Sequence, residues 1–79
     1  PPENLILYPN PMNDQLTIQW KEALDDSFIE IYNSNGKLCF KSKFKSDIIL
    51  SENNFTGPGM YFLKCTKGNK MITKKIIKL

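Results

Sequence analysis

The chain has 79 residues, 41 % of them hydrophobic and 24 % charged, which suits one thin folded core and leaves no length for a second. Its net charge of +3 comes from eleven lysines against eight acidic residues, with neither arginine nor histidine. Lacking the arginine fork that suits phosphate and guanine, and lacking the commonest general base and metal ligand, it is poorly equipped for nucleic-acid readout, hydrolytic triads or zinc.

Residues 1–4 read as linker, and the abrupt Pro1-Pro2 start reads as that of a fragment. The domain itself is expected over 5–79. The first predicted strand, Leu5 to Tyr8, stops at Pro9-Asn10-Pro11, where two prolines remove backbone donors and fix an extended turn. The second, Gln15 to Trp20, alternates Leu16, Ile18 and Trp20 with Thr17 and Gln19, placing three apolar side chains on one face. Lys21 to Asp26 reads as a loop, with one helical turn open to Glu22-Ala23-Leu24.

The third strand, Ser27 to Tyr32, alternates Ile29 and Ile31 against Glu30, and Asn33-Ser34-Asn35-Gly36 then predicts a hairpin to the fourth. In that fourth strand, Lys37 to Phe44, Leu38 and Phe40 are expected on one face and Cys39 on the other, while Lys41, Lys43 and Lys45 suit an edge. A fifth strand runs from about Ser46 to Leu50. Thr56-Gly57-Pro58-Gly59 makes a strong turn with Phe55 tucked beneath it. The sixth strand, Met60 to Thr66, is apolar on both parities and therefore central. A tight turn at Lys67-Gly68-Asn69 leads to the seventh, Met71 to Lys78, whose mixed parity suggests a bulge near Lys74-Lys75. Short strands at this spacing predict an all-β fold, an immunoglobulin-like two-sheet β-sandwich of about seven mostly antiparallel strands.

Candidate chemistry is sparse. Asp25-Asp26 are sequence neighbours with nothing apolar to raise either pKa, and the serines have no histidine partner, so no catalytic residue is assigned. Two cysteines without histidine cannot complete a zinc site, and the aspartates lack the spacing of a calcium loop, so neither metal nor cofactor is expected. Cys39 and Cys65 either fill space as small hydrophobes or face each other across the sandwich and pair. No apolar run approaches the roughly 20 residues of a transmembrane helix.

Four segments, in order, carry a resemblance: Tyr8-Pro9-Asn10-Pro11; Ile31-Tyr32-Asn33-Ser34-Asn35-Gly36-Lys37; Gly59-Met60-Tyr61-Phe62-Leu63-Lys64; and Lys74-Lys75-Ile76-Ile77-Lys78. Together, from Leu5 to Leu79, they resemble the C-terminal sorting domain of proteins secreted by the type IX (Por) system of certain Gram-negative bacteria, type A. The resemblance implies a non-enzymatic signal domain fused behind an N-terminal cargo. It further implies engagement by the outer-membrane translocon and its shuttle and sortase-like proteins, passage through the periplasm, and cleavage with surface attachment or release of the cargo. By resemblance the motif positions are Pro9, Asn10, Pro11, Gly36, Lys37, Gly59, Tyr61, Lys74, Lys75, Ile76 and Lys78. Cys39 departs from the hydrophobic residue common in the family.

Two further expectations follow. The terminal lysines and the exposed backbone of the last strand would dock to the export machinery by charge or strand addition, while Asn10 and Gly36 would serve turn geometry only. Unpaired edges would also permit a homodimer by strand pairing or swapping. The alternatives are a fibronectin-like or carbohydrate-binding accessory module, with Tyr8, Trp20, Tyr32 and Tyr61 stacking on sugars, and a single-strand nucleic-acid binder using the aromatics and lysines of Phe40 to Phe44.

Overall fold

Strict alternation gives each strand one apolar side, and two such one-sided sheets close on each other. The computed structural model describes residues 5–21, 26–45 and 47–79. The linker expected at 1–4 and the turn considered at 22–24 lie outside the described residues. Seven strands occur among the described residues: β1 (Leu5–Tyr8), β2 (Gln15–Trp20), β3 (Phe28–Asn33), β4 (Leu38–Lys43), β5 (Ile48–Ser51), β6 (Gly59–Lys67) and β7 (Lys70–Lys78). One sheet has the order β1-β2-β5 and the other β4-β3-β6-β7, all pairs antiparallel. In a constant-type immunoglobulin domain the fourth strand joins the first sheet; here β4 stays beside β3 in the second.

Between the sheets lie Leu16, Ile18, Ile29, Ile31, Leu63 and Ile76, all fully buried, with Trp20 meeting Phe44 edge to face at 5.8 Å. Each such aliphatic side chain contributes roughly 2 kcal/mol by leaving water. At the entry to β6, Phe55 is buried and packs edge to face on Tyr61 at 4.9 Å. The Tyr61 hydroxyl donates to the Gly57 carbonyl at 2.7 Å and accepts from the Thr56 N–H at 3.0 Å, the arrangement of a tyrosine corner. That corner holds the turn over the plug.

The hairpin from β3 to β4 closes as expected: Gly36 adopts a φ of 84°, and the Asn33 carboxamide oxygen accepts from the N–H groups of Asn35 and Lys37. Two expectations are corrected. β7 pairs with β6 in unbroken register from Lys70 to Lys78, without a bulge at Lys74-Lys75. The irregularity lies instead in β4, where Ile31 faces Phe40 and Tyr32 faces Leu38, leaving Cys39 as the extra residue. The bulge turns Leu38 outward, 45 % exposed, while Cys39 and Phe40 both pack on the core, so Leu38 and Phe40 do not share a face.

The cysteines are also placed differently from the paired alternative. They lie on β4 and β6 of the same sheet with β3 between them, and both are free. Two strand spacings, roughly 10 Å, exceed the reach of a disulfide. Burial pushes the Cys65 thiol up from 9.0 to about 12, with Lys74 opposing the shift. Folding therefore holds the Cys65 proton; the associated stability is intact below pH 9.0 and is lost as pH rises toward about 12. Ellman titration of the native protein should find Cys39 reactive and Cys65 reactive only after unfolding. Across the same alkaline range the melting temperature of Cys65→Ala should fall less steeply than that of the parent.

Candidate recognition site

The segment after β1 leaves its own sheet and crosses to the edge of β7. Asn10 is the residue that makes this possible. Its carboxamide behaves as a short piece of strand: Nδ2 donates to the Lys75 carbonyl at 2.8 Å, and Oδ1 accepts from the Ile77 N–H at 3.0 Å. Two residues on, Met12 continues the ladder with its backbone, donating to the Ile77 carbonyl at 2.8 Å and accepting from the Leu79 N–H at 2.9 Å. Met12 forms a parallel bridge with Lys78, and its side chain is fully buried. Pro9 and Pro11 flank Asn10, each after a cis peptide bond. The chain then returns to the first sheet as β2, so the crossing ties the two sheets together at one edge.

Register places the other motif segments at the same end of the four-stranded sheet. Asn33, which closes the hairpin bearing Gly36 and Lys37, lies opposite Tyr61, and Tyr61 lies opposite Ile76. Gly59 faces Lys78, which in turn bridges to Met12. Segments separated by most of the chain thus converge on one end of one sheet. The lysines there are not equivalent. Lys75 is exposed on the outer face, whereas Lys74 is half-buried on the inner side and Lys78 is buried, its Nζ donating to the Leu79 carbonyl at 3.0 Å.

Three functional expectations change accordingly. Asn10 is more than a turn residue, because its partners are 65 and 67 positions away. The backbone of β7 is not exposed along its whole length: from Lys75 to Leu79 its edge is already bonded to Asn10 and Met12. The terminal lysines present one exposed charge, Lys75, between two that are turned inward. Met12 was missed by sequence reasoning, although a large apolar residue isolated among Pro11, Asn13 and Asp14 is the signal that would have found it.

The alternative sites do not assemble. Trp20 and Tyr61 are core residues, and Tyr8 and Tyr32 lie on opposite sheets, so the four rings form no row for a sugar. Phe44 is buried and Phe40 packs on the core, which removes the base-stacking platform considered for that strand. Asp26 is exposed, and Asp25 lies outside the described residues.

Asn10→Ala should cost about 2 kcal/mol, the net value of two hydrogen bonds, with faster hydrogen exchange at the Ile77 amide. Asn10→Asp keeps the acceptor but sets a carboxylate oxygen against the Lys75 carbonyl, and it should be no better than alanine. A turn-only role would leave Ile77 exchange unchanged.

In comparison with known families, the chain matches a model described as a secretion system C-terminal sorting domain over residues 6–79. No curated protein matches it.

Proposed function

The chain belongs to the family of secretion system C-terminal sorting domains, the signals of type IX secretion, and we propose that it works as a folded address read at the end where its motif segments converge. Family membership indicates export across the cell envelope with a cargo fused ahead of the domain. The finer steps are part of the proposal: engagement by the outer-membrane translocon and its shuttle, then removal by a sortase-like peptidase with the cargo attached to the surface or released.

One observation supports this reading above the others. Pro9-Asn10-Pro11, Gly36-Lys37, Gly59-Tyr61 and Lys74 to Lys78 are far apart in sequence yet meet at one end of the sheet. Within that cluster the residues divide their work. Asn10, Tyr61, Ile76 and Lys78 build the end from inside, through the clasp, the corner and the core. Lys37 and Lys75 stand on the surface, where a partner can reach them.

The test is a periplasmic reporter carrying residues 1–79 at its carboxyl end, in a bacterium with the type IX system. The reporter should leave the cell, and it should stay in the periplasm without the tag or in a strain lacking the translocon. Equal export in those two controls would overturn the proposal. Deleting Lys74 to Leu79 removes Ile76 from the core and the clasp's partners together, so it should abolish folding and export at once. Lys75→Glu should leave the melting temperature unchanged and lower export.

A further inference from the structure

The outer face of the four-stranded sheet has a composition that the fold does not explain. In register across it, Tyr32 faces Phe62, Phe62 faces Lys75, and Met60 faces Ile77. These apolar side chains remain partly in water, with Phe62 37 % and Met60 40 % exposed. One row further along, Glu30 lies between Lys41 and Lys64, and Lys43 faces Phe28 beyond it. The face thus carries an apolar half beside a lysine-rich half, and its four lysines outnumber the carboxylates of Glu30 and of Asp26, which lines a cleft with Phe28, Lys41 and Lys43. The other sheet differs: β1, β2 and β5 contain no charged side chain at all.

Charge decides what such a face can meet. A second copy laid face to face would oppose lysines to lysines, which disfavours self-association here. A bilayer is a poorer match, because a surface that lies in the membrane interface buries its whole apolar face about 5–10 Å deep, and half of this face is lysine-rich. Tyr32 and Ile77 are moreover half-buried in the sheet. Aromatic and methionine side chains set beside charges on a sheet face are the composition of a protein interface.

We propose that the outer face of β4-β3-β6-β7 is the surface by which the domain docks onto a protein, one presenting an apolar patch bordered by carboxylates. Resting on the sorting-domain reading, this places the partner over Phe62 and Tyr32, with Lys41 and Lys64 facing its acidic border. Glu30 does not cancel the attraction, since it is flanked by lysines on both neighbouring strands. Burial and the Glu30 carboxylate together push the Tyr32 phenol up from its ordinary value.

The test uses the tagged reporter in the exporting strain, with Phe62→Ser, with Lys41→Gln and Lys64→Gln together, and with Ile49→Ser as a control on the opposite sheet. Ile49 is 62 % exposed, more than Phe62, so general loss of surface hydrophobicity would show there first. The melting temperature should match the parent in the lysine variant and fall moderately in Phe62→Ser, and at a temperature where all the variants are folded export should fall about tenfold in the two outer-face variants alone. A benzophenone amino acid at position 62 should crosslink to a protein in the parent and lose that adduct when Lys41 and Lys64 are neutralised. Full export of the folded outer-face variants, alongside normal export of the parent, overturns the docking face and leaves the sorting function standing. Failure of the parent itself to be exported defeats the sorting reading, and the docking face falls with it. Sedimentation of the domain with phosphatidylglycerol vesicles, lost in the outer-face variants and without a protein adduct, would assign the surface to membrane and overturn the proposal.

Discussion

The edge of β7 from Lys75 to Leu79 is closed by the beginning of the same chain, and the rest of the architecture depends on that closure. A terminal strand has a partner on one side only; here β6 supplies it, and the other side would be open backbone. Asn10 and Met12 supply four hydrogen bonds to it, two from a side chain and two from the backbone. Because Met12 is fully buried, the same contact also seals the end of the core. The segment belongs by connection to β1 and β2 of one sheet and by hydrogen bonding to the other. Neither sheet can move at that end without breaking it.

The two sheets divide the remaining tasks through their charge. β1, β2 and β5 supply apolar side chains to the core and no charge to the surface. β4, β6 and β7 carry Lys41, Lys43, Lys64, Lys67, Lys70, Lys74, Lys75 and Lys78, so most of the molecule's positive charge sits on one sheet. Lysine on the edge strands β4 and β7 discourages pairing with further strands, and on the outer face it also opposes stacking of two copies. This protection leaves the apolar side chains of that face available to a partner of opposite charge.

Much of this could be read from the residues because inside and outside alternate cleanly where only one face is buried. Leu16, Ile18 and Trp20 in β2, and Ile29 and Ile31 in β3, announced both the strands and the side they bury. The same logic misled in β7, where Met71 and Ile77 looked like a slip of register. They are in register, on an outer face that is itself partly apolar. In β4 the bulge fell at Cys39, a small residue that suits either face and so gave no signal of a change in parity. The clasp was out of reach for a different reason. The partners of Asn10 are backbone groups, which every residue supplies, so nothing in the sequence of β7 marks where a side chain 65 positions earlier will bind.

A motif assembled in this way carries information that a linear tail cannot. Lys75 and Ile76 are the same residues in a folded and an unfolded chain, but only folding brings Asn10 to the backbone on either side of Ile76 and sets Tyr61 opposite it. In the proposed role, a partner that reads this end of the sheet therefore reads whether both ends of the domain have been made and joined. The segment that reports this, residues 9–12, lies near the start of the domain, directly after β1. Completion of the last strand is thus registered near the entrance of the domain, by hydrogen bonds that form only once Lys75, Ile77 and Leu79 lie beside Asn10 and Met12.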